Sequence, residues 1–320
     1  MDRLTDISTV KTLLEKYGFR FSKALGQNFL INPSVCPRMA LECGADEESG
    51  VLEIGPGIGT LTRELCRAAG KVVSIELDER LPALLAETMA EFDNFTLVEG
   101  DALKLDLNSL IAEQFGDRRV AVCANLPYYI TSPLIMHLLE SRLPVDNITV
   151  MVQKEAADRL CAKQGTRETG AVTLAVQYYA KAEVLFDVSR GSFMPAPNVD
   201  SSVIRLTLHK EPPCDVQNEK KMFALIRVAF NQRRKTITNS LMGAGVTKAQ
   251  IAAACAMTAT VHMIRHSDTM TTPLFHLSRT ITYPIGPNSS SSLSPASLGF
   301  GPKSAETTSE SPPPSSSVTF

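Results

Sequence analysis

Residues 51–62 read Val51-Leu52-Glu53-Ile54-Gly55-Pro56-Gly57-Ile58-Gly59-Thr60-Leu61-Thr62, and the fold class follows from them. An apolar run ends in a glycine-rich turn that opens a segment of helical type, 60–69. That sequence of events is the strand, loop and helix of an open α/β sheet. Glycines let the backbone turn sharply and let a ligand approach the main chain closely. A dinucleotide fingerprint, G-x-G-x-x-G, sets its third glycine one position later than Gly59. The G-x-G-x-G spacing found here, with Glu53 two residues ahead of it, suits S-adenosylmethionine (SAM) better. That molecule has no pyrophosphate for the helix N-terminus to hold, and its methionine tail can lie against bare backbone. Gly55 and Gly57 are therefore candidate cofactor contacts.

On either side of this unit, short β-branched runs recur at 71–76, 95–98, 120–124 and 148–152. Helical-type segments separate most of them, at 79–91, 108–115 and 132–141. Alternating strands and helices predict a mostly parallel sheet. Two later runs, 183–188 and 203–208, follow a helical segment at 170–180 with only a loop between them, which predicts a closing antiparallel pair. Ahead of the glycine loop, 5–17 and 33–43 read as helices, the latter with Pro33 in its first turn, while 23–31 reads as a loop. Beyond about 219 the pattern is helical only, at 219–231, 234–242 and 247–256. The expectation is a Rossmann-like α/β catalytic domain with a seven-stranded sheet over 1–210, a smaller all-α domain over 211–280 and a Ser/Pro-rich disordered tail over 281–320. That tail carries 12 Ser and 7 Pro, a composition that cannot repay its ordering entropy.

Three acids or amides fall at strand ends. Glu76 closes the second run and can accept both ribose hydroxyls. Asp101, in Glu99-Gly100-Asp101-Ala102, is placed to accept from an adenine amino group, and Ala102 lies beside it. Singly, each acid is as well explained as a solvated loop residue. Together they share the carboxyl edge of one sheet, where ligands of such sheets bind. The fourth run ends in Asn125-Leu126-Pro127-Tyr128. An adenine N6 amino group is a poor nucleophile, because its lone pair is delocalised into the ring. The Asn125 oxygen and the Leu126 carbonyl, oriented by Pro127, would accept its two N–H groups and favour a pyramidal nitrogen. Tyr128 would stack on the base. Alone, this tetrapeptide also reads as a strand-to-loop turn. No strong general base is required, since the sulfonium is already activated and the methylated amine is strongly acidic.

The chain has 320 residues, 44% hydrophobic, with a formal net charge of -2. Its length suggests about two domains, and its apolar content excludes disorder of the whole chain. The charge is uneven. Lys220 to Ser267 holds eight Lys/Arg and no acid, a pattern that favours phosphate contacts. Arg227, Arg233, Arg234 and Lys235 are candidate RNA contacts. The remainder of the chain then carries -2 - 8 = -10. Seven cysteines with no CxxC argue against a disulfide framework or a structural zinc. No signal-like or membrane-length segment is present. The expectation is a cytoplasmic, metal-free, monomeric protein.

The motifs K-A-L-G-Q-N-F-L at 23–30, E-I-G-P-G-I-G-T-L-T at 53–62, N-L-P-Y-Y-I-T-S-P at 125–133, V-Q-K-E-A-A-D-R-L at 152–160, F-M-P-A-P-N-V-D-S-S-V at 193–203 and F-N-Q-R-R-K-T at 230–236 closely resemble the ribosomal RNA adenine N6,N6-dimethyltransferase family (KsgA/RsmA type). The resemblance runs from about Lys23 to Cys255. It implies SAM contacts at Asn28, Leu30, Gly55, Glu76, Asp101 and Asn125, with Gln27 to Leu30 folding over the cofactor as part of a lid. It also implies a substrate, two adjacent adenosines near the 3′ end of 16S rRNA in the small ribosomal subunit, and a role in ribosome biogenesis. Phe193 becomes either a second face of the stacking slot or a plain core residue. Related large-subunit methyltransferases share the SAM motifs, and a non-catalytic assembly factor with the same fold is a further alternative. The 193–203 motif and the basic helix favour the small-subunit enzyme. After Cys255 the text departs from the family pattern, as a shifted reading frame at the end of the gene would make it do.

Overall fold

The computed structural model describes residues 4–19, 27–231 and 236–254. The chain divides into two compact units, 1–230 and 231–320. The first holds nine strands among its described residues: β1 (Phe29–Leu30), β2 (Gly50–Ile54), β3 (Lys71–Glu76), β4 (Phe95–Glu99), β5 (Val120–Asn125), β6 (Asn147–Gln153), β7 (Ala180–Val188), β8 (Phe193–Met194) and β9 (Ser201–Leu208). Seven of them form one sheet in the order β4-β3-β2-β5-β6-β9-β7. The first five in that order run parallel, and β9 and β7 are antiparallel to their neighbours. The expected mostly parallel sheet and its closing pair are therefore present.

The burial of the strands explains their composition. Every residue of β2 is buried, as are five of the six in β5. Strands covered on both faces read as nearly continuous apolar runs. One cover is built from α1 (Ile7–Lys16), α2 (Val35–Glu42), α3 (Thr60–Ala68) and α4 (Pro82–Thr88). Leu13, Met39, Leu65, Leu84 and Leu85 from these helices share one apolar cluster with Val51 and Val72 of the sheet. α5 (Leu107–Phe115), α6 (Thr131–Glu140), α7 (Lys154–Leu160), α8 (Ala171–Tyr179) and α9 (Glu219–Phe230) complete the unit. At about 25 cal/mol per Å² of apolar surface removed from water, such burial is the main stabilising term.

Local chemistry sets several element ends apart from the sequence reading. α2 begins at Val35 and not at Pro33, because the Asn32 side chain accepts from the Ser34 N–H at 3.1 Å and makes a turn ahead of the helix. α4 begins only at Pro82, in keeping with proline's fixed φ at a first helical position. α7, seven residues long, is too short to show a helical period in the sequence. β1 and β8 both fall in stretches whose sequence predicts loop.

The border expected near 210 falls inside the first unit. α9 belongs there because it packs on α8: the Phe223 ring stacks on Tyr179 at 5.6 Å and meets Tyr178 edge-on at 5.5 Å. Glu219 accepts from Tyr178 Oη at 2.9 Å and pairs with Arg142. In the second unit, α10 (Ile237–Met242) is capped by Thr236, whose Oγ1 accepts from the Asn239 N–H at 3.4 Å, and residues 248–254 are helical. The expected tail over 281–320, and the altered text after Cys255, lie outside the described residues. Among the described residues, no helix is long and apolar enough to cross a membrane.

Candidate functional site

After β2 the chain moves outward to β3 and β4, then returns to lay β5 on the other side of β2. That reversal opens a crevice at the carboxyl ends of the strands. The glycine loop fills its floor. Gly55, Gly57 and Gly59 all take left-handed φ values, of 73°, 60° and 89°, which other residues adopt only under strain. At Gly57 the requirement is also steric, since a Cβ there would lie 3.2 Å from the Phe29 ring. Bare backbone is what keeps this part of the crevice open.

β3 delivers Glu76. Its carboxylate is buried and accepts the N–H groups of Gly57 at 3.2 Å and Asp78 at 2.8 Å. Burial raises its pKa, against the lowering by those N–H groups. β2 contributes a second buried acid beneath the loop. Glu53 accepts from Ser74 Oγ at 2.6 Å, and burial pushes its pKa up to about 7. Asp101 follows β4, where its Oδ1 accepts from the Leu103 N–H at 3.0 Å, and Ala102 is buried next to it.

β5 ends at Asn125. Its side-chain Nδ2 donates to the Asn28 carbonyl at 3.5 Å. At that length the contact is weak; it turns Nδ2 toward Asn28, with Oδ1 as the other, acceptor arm of the amide. Leu126 is held by its N–H on the Met151 carbonyl at 3.1 Å, and Pro127 is extended, with φ -59° and ψ 132°. The half-buried Tyr128 places its hydroxyl 2.8 Å from Ser201 Oγ of β9. Phe193 is buried in β8, opposite Leu30 of β1. It falls in the stretch between 188 and 203 whose sequence predicts a loop, and the short ladder with β1 makes it both a core residue and a wall of the crevice.

The crevice is open at its mouth and spans about 1100 Å³ when the solvent-filled space within it is included. Asn28, Leu30, Gly55, Gly57, Glu76, Asp101, Ala102, Asn125, Leu126, Pro127, Tyr128 and Phe193 all line it. Of the expected RNA contacts, Arg227 is exposed on α9, while Arg233, Arg234 and Lys235 lie outside the described residues. The sequence reading gave no role to Asp78 or Tyr129, which also line the crevice. Asp78 sits two residues beyond Glu76, and Tyr129 is 51% exposed at the mouth.

The charge of the lining limits what it can hold. Among the described residues it includes Glu76, Asp78 and Asp101 but no Lys, Arg or His. Asp78 is paired with Arg80 and Asp101 with Lys104, so the buried Glu76 carboxylate is the charge that favours a cation over a pyrophosphate there. A SAM-sized ligand with a positive sulfonium fits the open glycine floor, the buried carboxylate and this charge.

The model of the ribosomal RNA adenine dimethylase family matches residues 18–274. The chain belongs to that family. Membership brings the SAM-dependent methyltransferase activity that the lining favours. The match also extends past Cys255, where the text had stopped resembling the family. Ribosomal RNA small subunit methyltransferase A of Anoxybacillus flavithermus is 51% identical over 241 residues, 74% of this chain and 82% of its own. The protein of the same name from Lysinibacillus sphaericus is 44% identical over 288 residues, 89% of this chain and 98% of its own. Among solved structures, a dimethyladenosine transferase from Plasmodium falciparum aligns with a TM-score of 0.59 at 26% identity, over 77% of this chain and 85% of that one. The 23S rRNA methyltransferase ErmE aligns with a TM-score of 0.60 at 25% identity, over 80% and 100%.

Proposed function

We propose that the chain dimethylates N6 of two adjacent adenosines near the 3′ end of 16S rRNA, within the small ribosomal subunit or its late precursor. It acts as a monomer in the cytoplasm and thereby contributes to ribosome biogenesis. The observation that carries this reading is the junction of the acid-lined, glycine-floored donor half of the crevice with Asn125 and Tyr128 on its other side. The names of the bacterial relatives support the choice of the small subunit.

In this reading Glu76 accepts the ribose hydroxyls of SAM, Asp101 and Ala102 receive its adenine, and Gly55, Gly57, Asn28 and Leu30 hold it along the backbone. SAM supplies an electrophilic methyl carbon: the C–S bond breaks with its pair going to sulfur, while the N6 lone pair forms the C–N bond. The target adenosine leaves its stack to reach the crevice. Asn125 Oδ1 and the Leu126 carbonyl accept its N6–H groups, and Tyr128, with Phe193, sandwiches the base. The proton released from N6 passes to solvent, so the chain's contribution is positioning and electrostatics. Arg227, Arg233, Arg234 and Lys235 hold phosphates of the rRNA.

The test is to incubate the purified protein and labelled SAM with under-methylated small subunits and then map the modified bases. Label on paired adenosines near the 3′ end is expected. Label on large-subunit rRNA would overturn the choice of particle. Tight subunit binding without transfer would make the chain a non-catalytic assembly factor.

A further inference from the structure

Segment 27–31 crosses the crevice as a strap, and it is tied down at both ends. At its far end Ile31 N–H donates to the Ser192 carbonyl at 2.9 Å, and Phe29 and Leu30 pair with Met194 and Phe193. At its near end Gln27 Nε2 donates to Asp78 Oδ2 at 2.7 Å. Asp78 is buried, and it also accepts from Arg80 through the backbone N–H at 3.1 Å, Nε at 2.8 Å and Nη2 at 2.6 Å. The Arg80 guanidinium lies over the Phe19 ring at 4.6 Å, and Phe19 packs on Phe29 at 5.9 Å. Phe29 in turn covers Gly57. Asp78 thus reaches the strap by two routes, directly at Gln27 and through Arg80 and Phe19 at Phe29. Between those two points sits Asn28, whose carbonyl faces the Asn125 amide nitrogen at 3.5 Å.

We infer that Asp78 is a positioning residue that latches the strap through Gln27, and that the latch sets both the donor site and the orientation of Asn125. This rests on the crevice being the methyl-transfer site proposed above. Several features favour a latch over a general structural contact. Arg80 holds the Asp78 carboxylate through three hydrogen bonds besides that of Gln27, and hydrogen bonds to a charged acceptor are the strong ones. Gln27 is only half-buried, so removing its amide leaves no core cavity. The strap lines the donor half with Asn28 and Leu30, and it meets the acceptor half where Asn28 faces Asn125 and Leu30 pairs with Phe193. Loosening one end therefore affects both halves.

The test measures binding of S-adenosylhomocysteine by calorimetry and steady-state methylation of small subunits, using the full chain. Gln27→Ala is expected to weaken S-adenosylhomocysteine binding and raise the KM for SAM by roughly tenfold, the size of one lost hydrogen bond to a charged group. The melting temperature should stay close to that of the wild type. Gln27→Lys keeps a donor to Asp78 and should restore most of the affinity. Asp78→Ala should weaken binding further, and adding Gln27→Ala to it should cost much less than it does in the wild type. Wild-type affinity in Gln27→Ala, or full additivity of the two substitutions, would overturn the latch. If the wild-type chain binds S-adenosylhomocysteine but methylates no adenosine, the proposed function fails while the binding data still judge the latch.

Discussion

The Tyr128 hydroxyl and Ser201 Oγ lie 2.8 Å apart, joining the turn after β5 to the first residue of β9. The hydrogen bond holds the ring of Tyr128 at the wall of the crevice without consuming its face. Tyr128→Phe keeps the ring and loses the bond, at a cost of about 0.5–1.5 kcal/mol, so kcat/KM for small subunits should fall by less than about tenfold. Tyr128→Ala loses the stacking surface, worth about 1–3 kcal/mol per base, and should cost clearly more than Tyr128→Phe. Equal losses in the two variants would mean that the hydroxyl, and not the ring, serves the reaction.

Asn125 is the acceptor on which the proposed chemistry depends. Asn125→Ala is expected to lower kcat by about 10²–10³, the scale found when one preorganised polar group is removed from a reacting centre. Subunit affinity, measured by filter binding or sedimentation, should change little, because the proposed function assigns the phosphate contacts to other residues. A variant that still methylates at near wild-type rate would remove Asn125 from its role.

Glu53 makes stability depend on pH. Its folded-state pKa is raised by burial from 4.5 to about 7. A carboxyl raised in this way stabilises the fold fully below its unfolded value, and that contribution is lost as pH rises through the folded value. The window is therefore about pH 4.5 to 7. Between pH 5 and 7 the wild-type melting temperature should fall relative to that of Glu53→Gln, which stays uncharged and retains an acceptor for Ser74. Parallel curves for the two proteins would show that Glu53 is already ionised in the fold at pH 5.

Arg227 tests the basic segment on its described side. It is exposed on α9. If it neutralises one phosphate, Arg227→Ala should weaken subunit binding and reduce the slope of log K against log salt by roughly one. Donor binding, measured without RNA, should be untouched. An unchanged slope would take Arg227 out of the interface.

Much of this protein is written locally. Each strand of the sheet is a short β-branched run, each glycine of the loop stands where φ is positive, and Glu76, Asp101 and Asn125 mark strand ends. Short-range periodicity and turn chemistry specify such features one element at a time, and the sheet's rule of binding at its carboxyl edge then brings them together. What only the tertiary structure decided are pairings between distant, aperiodic segments. The ladder of β1 and β8 is two residues long on each side, too short to carry an alternating pattern. Phe193 reads in the sequence as core or as site, and in the fold it packs into the apolar cluster while also lining the crevice. In the sequence Asp78 is one more acid after a strand, and its burial depends on Arg80 and Gln27 closing over it. The border of the first unit moved from 210 to 230 because aromatic packing of Phe223 on Tyr178 and Tyr179 outweighs the change in local composition. Composition is a property of the segment, whereas a side chain's packing partners come from the fold.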